Sequence, residues 1–296
     1  MKPAPLFVSI VACILAGCGA RSVPTTASSP VFTAHVAQYA RPLSYRADAK
    51  SPAVNDFVTY HNGPVLVTPT IYLIFWGYQK YGDPDHVAKL LTSYTQNIGA
   101  TGHDNIETQY YQIVSSQKSY IANPKKQYGG SWNDDSAVPK NPTDQQIAAE
   151  ALKSLTYFTY DPNGLYVVAT PHEHSEAGFG PHWCAYHSYT YYDTTKLLPY
   201  ANLPYMPDGG KQCGANIIKP PLDETGTTEG VTIMAGSEFG EGITDPEPYT
   251  GWNGVSGEIA DVCAWHNIAN IKFGSRSFTT QPMLSNATES CVQTYK

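Results

Sequence analysis

The sequence predicts one domain of the α+β class, built on a mixed sheet with packed helices. Runs of β-branched and aromatic residues at 65–76 and 164–170 have the composition of buried strands. Apolar residues at helical spacing in 85–98 and 144–158 predict two amphipathic helices. Strands and helices follow one another without regular βαβ alternation, and that mixture favours α+β over a parallel α/β fold.

The amino terminus predicts export. Lys2 supplies a positive charge ahead of an apolar run at residues 6–15, which is shorter than the roughly 20 residues that a membrane-spanning helix needs. The run leads into a Leu-Ala-Gly-Cys sequence that ends at Cys18 and resembles the lipobox of bacterial lipoproteins. That resemblance implies removal of a signal peptide at 1–17 and a lipid on Cys18 that anchors the protein to a membrane. The alternative is an ordinary signal peptide with a chance cysteine.

Composition separates a tether from the domain. Residues 18–54 are rich in Ala, Ser, Pro and Thr and predict a flexible tether, while residues 55–296 form the domain. We expect it to face the periplasm or the cell exterior. The net charge is −7 without a basic run, which argues against nucleic acid as a partner. The sequence gives no indication of the oligomeric state.

The cysteines predict two disulfides. Once Cys13 leaves with the signal and Cys18 takes the lipid, an even number remains for an oxidising compartment. Those left are Cys184, Cys213, Cys263 and Cys291. Three pairings are open, and we favour Cys184–Cys213 and Cys263–Cys291 because each closes a local loop and would stabilise the fold by roughly 3–4 kcal/mol. A zinc site of four thiolates is disfavoured because no C-x-x-C pair exists.

Three further segments complete the first part of the domain. Residues 105–115 predict a second, short helix, and the Gly-, Pro- and Asn-rich stretch at 122–142 predicts a loop. Residues 185–192 predict a further strand.

A helix is predicted to begin near Glu229, where Thr227 or Thr228 can serve as its cap, and to end at Asp245. Its interior glycines are Gly236, Gly240 and Gly242. Each costs about 1 kcal/mol relative to alanine. Such a weak helix has to be held by tertiary packing.

Six segments carry distinctive patterns in order along the chain. They lie at residues 60–77, 105–111, 184–188, 238–246, 257–265 and 285–291. The third reads C-A-Y-H-S and the fifth reads G-E-I-A-D-V-C-A-W. Together they resemble the EXORDIUM / phosphate-induced protein family over nearly the whole domain, and its secreted bacterial branch is the closer one.

The resemblance implies a zincin-like metal site. In bacterial relatives the stretch matching residues 237–246 commonly reads H-E-Y-A-E-A-V-T-D-P. This H-E-x-x-E pattern places two ligands one helical turn apart. Carried over, Glu238 is the catalytic general base and Glu241 a metal ligand. Glu258 or Asp261 is then the third ligand or the group that orients it.

This chain departs from the family pattern at the histidine position, which holds Ser237. A neutral hydroxyl is a poor zinc ligand, so the carried-over set contains oxygen donors only and would suit calcium or magnesium weakly. His182 and His187, on either side of Cys184, are the substitute imidazoles if zinc is bound. The alternative is that His187 is a hydrogen-bonded structural histidine.

The sequence supports three hypotheses of function. The first is a lipid-anchored envelope protein whose zincin-like domain is a degenerate metallohydrolase and binds an extracellular peptide or glycan. The second is an active zinc-dependent metallopeptidase, or a related hydrolase, with altered metal ligation. The third is a calcium-stabilised structural module. Zinc is the expected cofactor of the second and calcium of the third, while the first requires none.

Overall fold

The computed structural model describes residues 38–40, 57–219 and 226–296. The predicted signal peptide, Cys18 and most of the tether lie outside these ranges. The short stretch 38–40 forms a strand. Within the described ranges, no helix combines the length and the apolar character needed to cross a bilayer.

Helices and strands mix along the chain as the composition predicts. The strands are β1 (Gln38–Ala40), β2 (Thr59–Tyr60), β3 (Thr70–Trp76), β4 (Tyr111–Val114), β5 (Gln117–Tyr120), β6 (Tyr128–Asp134), β7 (Gly164–Ala169), β8 (Ala185–Tyr191), β9 (Leu197–Leu203), β10 (Trp252–Asn253), β11 (Ala269–Phe273), β12 (Arg276–Thr280), β13 (Met283–Ser285) and β14 (Ser290–Val292). The α-helices are α1 (Tyr78–Tyr81), α2 (Val87–Ile98), α3 (Asp144–Lys153) and α4 (Glu229–Thr244). Short 3₁₀ helices cover Asp104–Gln109, Ser154–Thr156, Met206–Cys213 and Asp261–Cys263.

The central sheet is mixed. Its strand order is β1-β8-β9-β7-β3-β6. Strand β3 runs parallel to β6 and β7, and β7 runs parallel to β9. Strand β8 runs antiparallel to β9 and to β1. The predicted α+β class with a mixed sheet is therefore confirmed.

Apolar side chains cover both faces of this sheet. Ile71, Leu73 and Leu165 share one core cluster with residues of α2 and α4. Ile74 and Val168 share the other cluster with residues of α3. Because successive side chains of a strand point to opposite faces, neighbouring residues of β3 serve different clusters. Helix α4 is thus fixed on one face of the sheet.

The loop predicted at 122–142 is wrong in part, because it contains β6. The glycines that suggested a loop instead permit close packing against the neighbouring strand. A Cβ on Gly129 would lie 2.5 Å from a ring carbon of Tyr72 on the neighbouring strand. Parallel pairing with β3 overrides the low strand propensity of glycine.

The helix predicted at 105–115 is also only partly right. A 3₁₀ helix occupies Asp104–Gln109, and the chain then enters a hairpin formed by β4 and β5. The hairpin turns at Ser115 and Ser116, which have φ values of 50° and 64°. Positive φ at both central residues is typical of two-residue hairpin turns, which usually carry Asn-Gly rather than two serines.

Helix α4 begins and ends where the sequence predicts. All of its 16 residues are buried, as expected for a helix without a polar face. Thr228 precedes it, but the Thr228 side chain makes no cap hydrogen bond. A Cβ on Gly230 would lie 1.8 Å from the carbonyl oxygen of Cys213. Gly230 therefore packs directly against backbone, whereas Gly236, Gly240 and Gly242 pack against the side chains of Tyr94, Met283 and Leu165.

The structure confirms both predicted disulfides. Cys184, at the start of β8, is bonded to Cys213, which precedes α4. Cys263 is bonded to Cys291 of β14. The first bridge ties a strand to the approach of α4, and the second ties the 257–265 segment to the carboxyl-terminal hairpin.

Candidate metal centre

Three parts of the chain bring ionisable side chains together above the sheet. Helix α4 contributes Glu238 and Glu241, strand β8 contributes His187, and the 257–265 segment contributes Glu258 and Asp261. Strand alternation directs His187 towards α4, because Ala185 lies in the core cluster of α4 whereas Tyr186 lies in the cluster of α3.

The imidazole lies between carboxylates on both sides. His187 Nδ1 is 3.5 Å from Glu238 Oε2 and 4.0 Å from Glu241 Oε2. His187 Nε2 is 3.4 Å from Glu258 Oε1 and 3.2 Å from the backbone carbonyl oxygen of Asp245. The His187 and Glu238 side chains have no solvent exposure. The His187 and Glu238 side of the cluster is therefore removed from solvent, whereas Asp261 is only partly buried.

These residues form two overlapping groups with the spacing of metal ligands. One group is His187, Glu238 and Glu241, and the other is Glu241, Glu258 and Asp261. In each group one ligand atom per residue lies within 4.8 Å of the others. Because Glu241 belongs to both, the cluster has room for one ion or for two ions that share that carboxylate.

The hydrogen bonding of the cluster fits a cation. His187 Nδ1 and both carboxylate oxygens of Glu238 and Glu258 lack hydrogen-bond partners within the described chain, although they are buried. Glu241 Oε1, by contrast, accepts the backbone N–H of Asp261 at 2.9 Å. Burying polar atoms without partners is costly, and a bound ion would remove that cost. One imidazole with several carboxylates is a donor set that zinc accepts.

Burial also controls protonation here. It raises the pKa of Glu238 to about 7, and it raises the pKa values of Glu241 and Glu258 well above the usual range. Burial opposes a charge on His187, but the neighbouring Glu258 and Glu238 carboxylates raise the His187 pKa well above its ordinary value. The metal-free cluster therefore retains protons, which a divalent cation would displace.

Two of the predicted residues lie elsewhere. Ser237 is buried, and its Oγ accepts a hydrogen bond from Gln281 Nε2 at 3.1 Å. It belongs to neither ligand group, and the same holds for His182, which is exposed in the turn before β8. Of the two substitute imidazoles, His187 is the one that the fold brings to Glu238 and Glu241.

Sequence reasoning missed the role of Asp245, which it treated as a helix end. The Asp245 carbonyl oxygen contacts His187, and the Asp245 side chain organises the loop that follows α4. Its carboxylate accepts backbone N–H groups of Tyr249 at 2.8 Å and Gly251 at 2.6 Å. An aspartate directly after a helix and before proline was a signal for such a loop.

Comparisons with known proteins cover this whole region. Residues 58–266, which include every member of the cluster, match the family described as phosphate-induced protein 1 conserved region. The protein EXORDIUM-like 5 of Arabidopsis thaliana is 23% identical over 253 residues, which is 75% of this chain and 69% of that protein. No solved structure matches the chain.

Proposed function

Because the chain belongs to the phosphate-induced protein 1 family, we propose that it is a bacterial, lipid-anchored envelope protein of that family with a zincin-like centre that binds zinc. In this proposal the centre is closed, and the domain acts by binding a peptide or glycan segment outside the cell.

One observation carries the proposal, namely the environment of His187 Nδ1. With Nε2–H donated to the Asp245 carbonyl, loss of the Nδ1 proton would leave a lone pair that faces Glu238 and Glu241. A lone pair that faces two carboxylates is repelled unless a proton or a cation lies between them. A zinc ion supplies that cation and uses all three groups as ligands.

The neighbouring groups support this arrangement. Metal-binding histidines commonly donate their second N–H to a carbonyl or carboxylate, which fixes the ring orientation. The Asp245 carbonyl and Glu258 take that position at Nε2. The Asp261 backbone N–H likewise orients the Glu241 carboxylate.

Two features favour binding over turnover. A catalytic zinc keeps an open position for substrate, whereas His187, Glu238 and Glu241 are each at most 1% exposed.

The second feature is a surface cavity of about 620 Å³, which has the size of a ligand pocket. Its lining includes Tyr160, Asn163, Tyr191 and Glu247. Tyr191 is on the same strand as His187 and donates a hydrogen bond to Glu247 at 3.4 Å. Aromatic rings beside amide and carboxylate groups suit a peptide or a glycan.

A specific observation favours active hydrolysis as the second candidate. Burial raises the pKa of Glu238 to about 7, which is the range that suits a general base at neutral pH. In that case Asp261 would replace Glu238 as a ligand, and Glu238 would take a proton from the attacking water. Bound zinc would supply Lewis-acid polarisation of the substrate carbonyl.

The first test is metal content. Protein purified without added metal should contain stoichiometric zinc that a chelator removes. His187→Gln should weaken zinc binding by at least the roughly 10–100-fold loss typical of orienting residues. His182→Gln, a matched change at an exposed histidine, should leave zinc affinity unchanged. Equal zinc affinity in wild type and H187Q would refute the proposal, while a melting temperature raised by calcium and not by zinc would favour the structural module.

A second variant separates binding from hydrolysis. If the centre is closed, Glu238→Gln lowers zinc affinity and neither protein cleaves casein. If the centre is a hydrolase, E238Q retains zinc and loses cleavage by roughly 10²–10⁴-fold. Chelator-sensitive casein cleavage by the wild type would therefore replace the first candidate with the second.

A further inference from the structure

A second buried polar cluster lies on the other side of α4. It consists of Tyr94 of α2, Asp104 and Glu107 of the 3₁₀ helix, and Gln127 just before β6, each at most 1% exposed. It faces α4 at Gly236 and Gly240. With a rotation of roughly 100° per residue, these glycines lie on the face of α4 opposite Glu238 and Glu241.

The polar atoms of this cluster do not satisfy one another. Gln127 Nε2 donates to the Asp104 carboxylate. Asp104 Oδ1, Glu107 Oε2, Gln127 Oε1 and the Tyr94 hydroxyl have no hydrogen-bond partner in the part of the chain that the structure describes. Four unpaired oxygens in one buried region carry a desolvation cost that a bound ligand would relieve.

The glycines of α4 leave space for these groups. A Cβ on Gly236 would lie 2.6 Å from the Tyr94 hydroxyl oxygen, so no larger residue fits there without displacing Tyr94. A Cβ on Gly240 would lie 2.5 Å from Met283 Sδ and, at ordinary contact distance, 3.5 Å from Glu107 Oε1. The helix therefore presents bare backbone to the tyrosine at Gly236, and Glu107 lies beside it at Gly240.

No basic side chain of the described residues forms an ion pair with these carboxyl groups. The ion pairs formed by the described residues do not include Asp104 or Glu107. The nearby His103 donates its Nδ1–H to the Gln293 carbonyl oxygen at 2.9 Å, and burial lowers the His103 pKa to about 4, so the ring is neutral. Ionised, the pair would carry two buried negative charges that only protons or a cation can balance.

We propose that Asp104, Glu107 and Gln127, with the Tyr94 hydroxyl beside them, form a binding site for a calcium ion. The unpaired atoms of these four residues are oxygens, which calcium prefers, and two carboxylates match its charge. Calcium accepts irregular oxygen geometry at 2.3–2.6 Å, whereas magnesium demands a near-ideal octahedron. The site is separate from the zinc centre and does not depend on it.

Protons are the alternative occupants, and the chemistry predicts competition. Burial raises the pKa of Asp104 to about 7 and that of Glu107 well above its usual range, the latter also through Asp104. Calcium must therefore displace protons, and its affinity should rise between pH 6 and pH 8.

The test is a melting experiment on zinc-loaded protein with calcium as the added probe. At calcium concentrations about 100-fold above its dissociation constant we expect the melting temperature to rise by about 5–10 °C, with a smaller rise for magnesium. The double variant Asp104→Asn with Glu107→Gln, which preserves shape, should lose the rise. His187→Gln, measured without added zinc, should keep it.

Three results would overturn the proposal. They are a wild-type rise below about 1 °C at every calcium concentration, an unchanged rise in the double variant, and loss of the rise in H187Q, which would assign calcium to the zinc centre. If the double variant does not fold, terbium luminescence replaces it. Tyr94→Phe should then lower the calcium-displaceable emission excited through tyrosine, and unchanged emission would count against the site.

Discussion

At the scale of single residues, His187 shows how one side chain joins two parts of the fold. Its Nε2 atom contacts the Asp245 carbonyl, which follows α4, while its Nδ1 atom faces Glu238 on α4 itself. The ring therefore contacts both helix α4 and the loop that follows it. A change at Asp245 that moved its carbonyl would rotate the imidazole without touching a proposed ligand.

Glu150 provides a residue-scale prediction that is independent of any metal. This α3 carboxyl is buried and lies beside Asp134 and Lys153. Burial and its hydrogen bond with Asp134 raise the Glu150 pKa from 4.5 to about 8. Between those pH values the folded protein keeps a proton that the unfolded chain has lost, so stability falls as pH rises from about 4.5 to 8.

The measurement is the free energy of unfolding of wild type and Glu150→Gln between pH 4.5 and pH 8.5. The glutamine variant should lose less stability over this range, because it has no carboxyl group to ionise at position 150. Glu289→Gln, an exposed control, should follow the wild type. Parallel curves for wild type and E150Q would show that Glu150 ionises normally.

Residue patterns identify part of the candidate site. Helical spacing alone places Glu238 and Glu241 on one side of α4, and the 257–265 pattern marks Glu258 and Asp261. The candidate imidazole could be narrowed only to His182 or His187, because the choice depends on which of the two lies on strand β8 with its side chain facing α4. The Asp104 cluster left no pattern, since its members come from separate elements.

At the scale of elements, α4 is held by contacts that only glycine permits. Gly230→Ala would drive a methyl group into the Cys213 carbonyl, whose backbone is fixed by the bond to Cys184. We expect this substitution to lower the free energy of unfolding by about 1–3 kcal/mol or more.

Gly242→Ala is the matched control on the same helix. Its new methyl group would meet the side-chain methyls of Leu165, the nearest at 2.9 Å, and a side chain can shift where a carbonyl cannot. The gain in helix propensity of about 1 kcal/mol offsets part of that strain. Denaturant unfolding should therefore show a smaller loss for G242A than for G230A, and the reverse order would contradict this account of the packing.

Elements that contain a local sequence signal were predicted, whereas elements without such a signal were missed. The ends of α4 were evident from Thr228 and from Asp245 before a proline. Strand β6 was not evident from the sequence, because its glycine is required by close packing against the ring of Tyr72. That ring belongs to a strand more than fifty residues earlier in the sequence. The hairpin at Ser115 was hidden for a different reason, since its turn carries two serines rather than Asn-Gly although its two strands pair with each other.

At the scale of the whole molecule, the lipid anchor remains a prediction. Cys18→Ser should abolish incorporation of radiolabelled palmitate in a bacterial host that processes lipoproteins, because the thiol that carries diacylglycerol is gone. Cys13→Ser, a matched change inside the signal peptide, should leave labelling intact. An unlabelled wild type, or label that persists in C18S, would point to an ordinary signal peptide.

If the proposed export and zinc binding both hold, the bond between Cys184 and Cys213 implies an order of maturation. Cys184 lies three residues before His187. The bond joins it to Cys213, whose carbonyl oxygen packs against Gly230. A reduced chain in the cytoplasm lacks this disulfide, so we expect it to have a low affinity for intracellular zinc. Oxidation after secretion would then come first and metallation second, and the ion would be drawn from the extracytoplasmic supply.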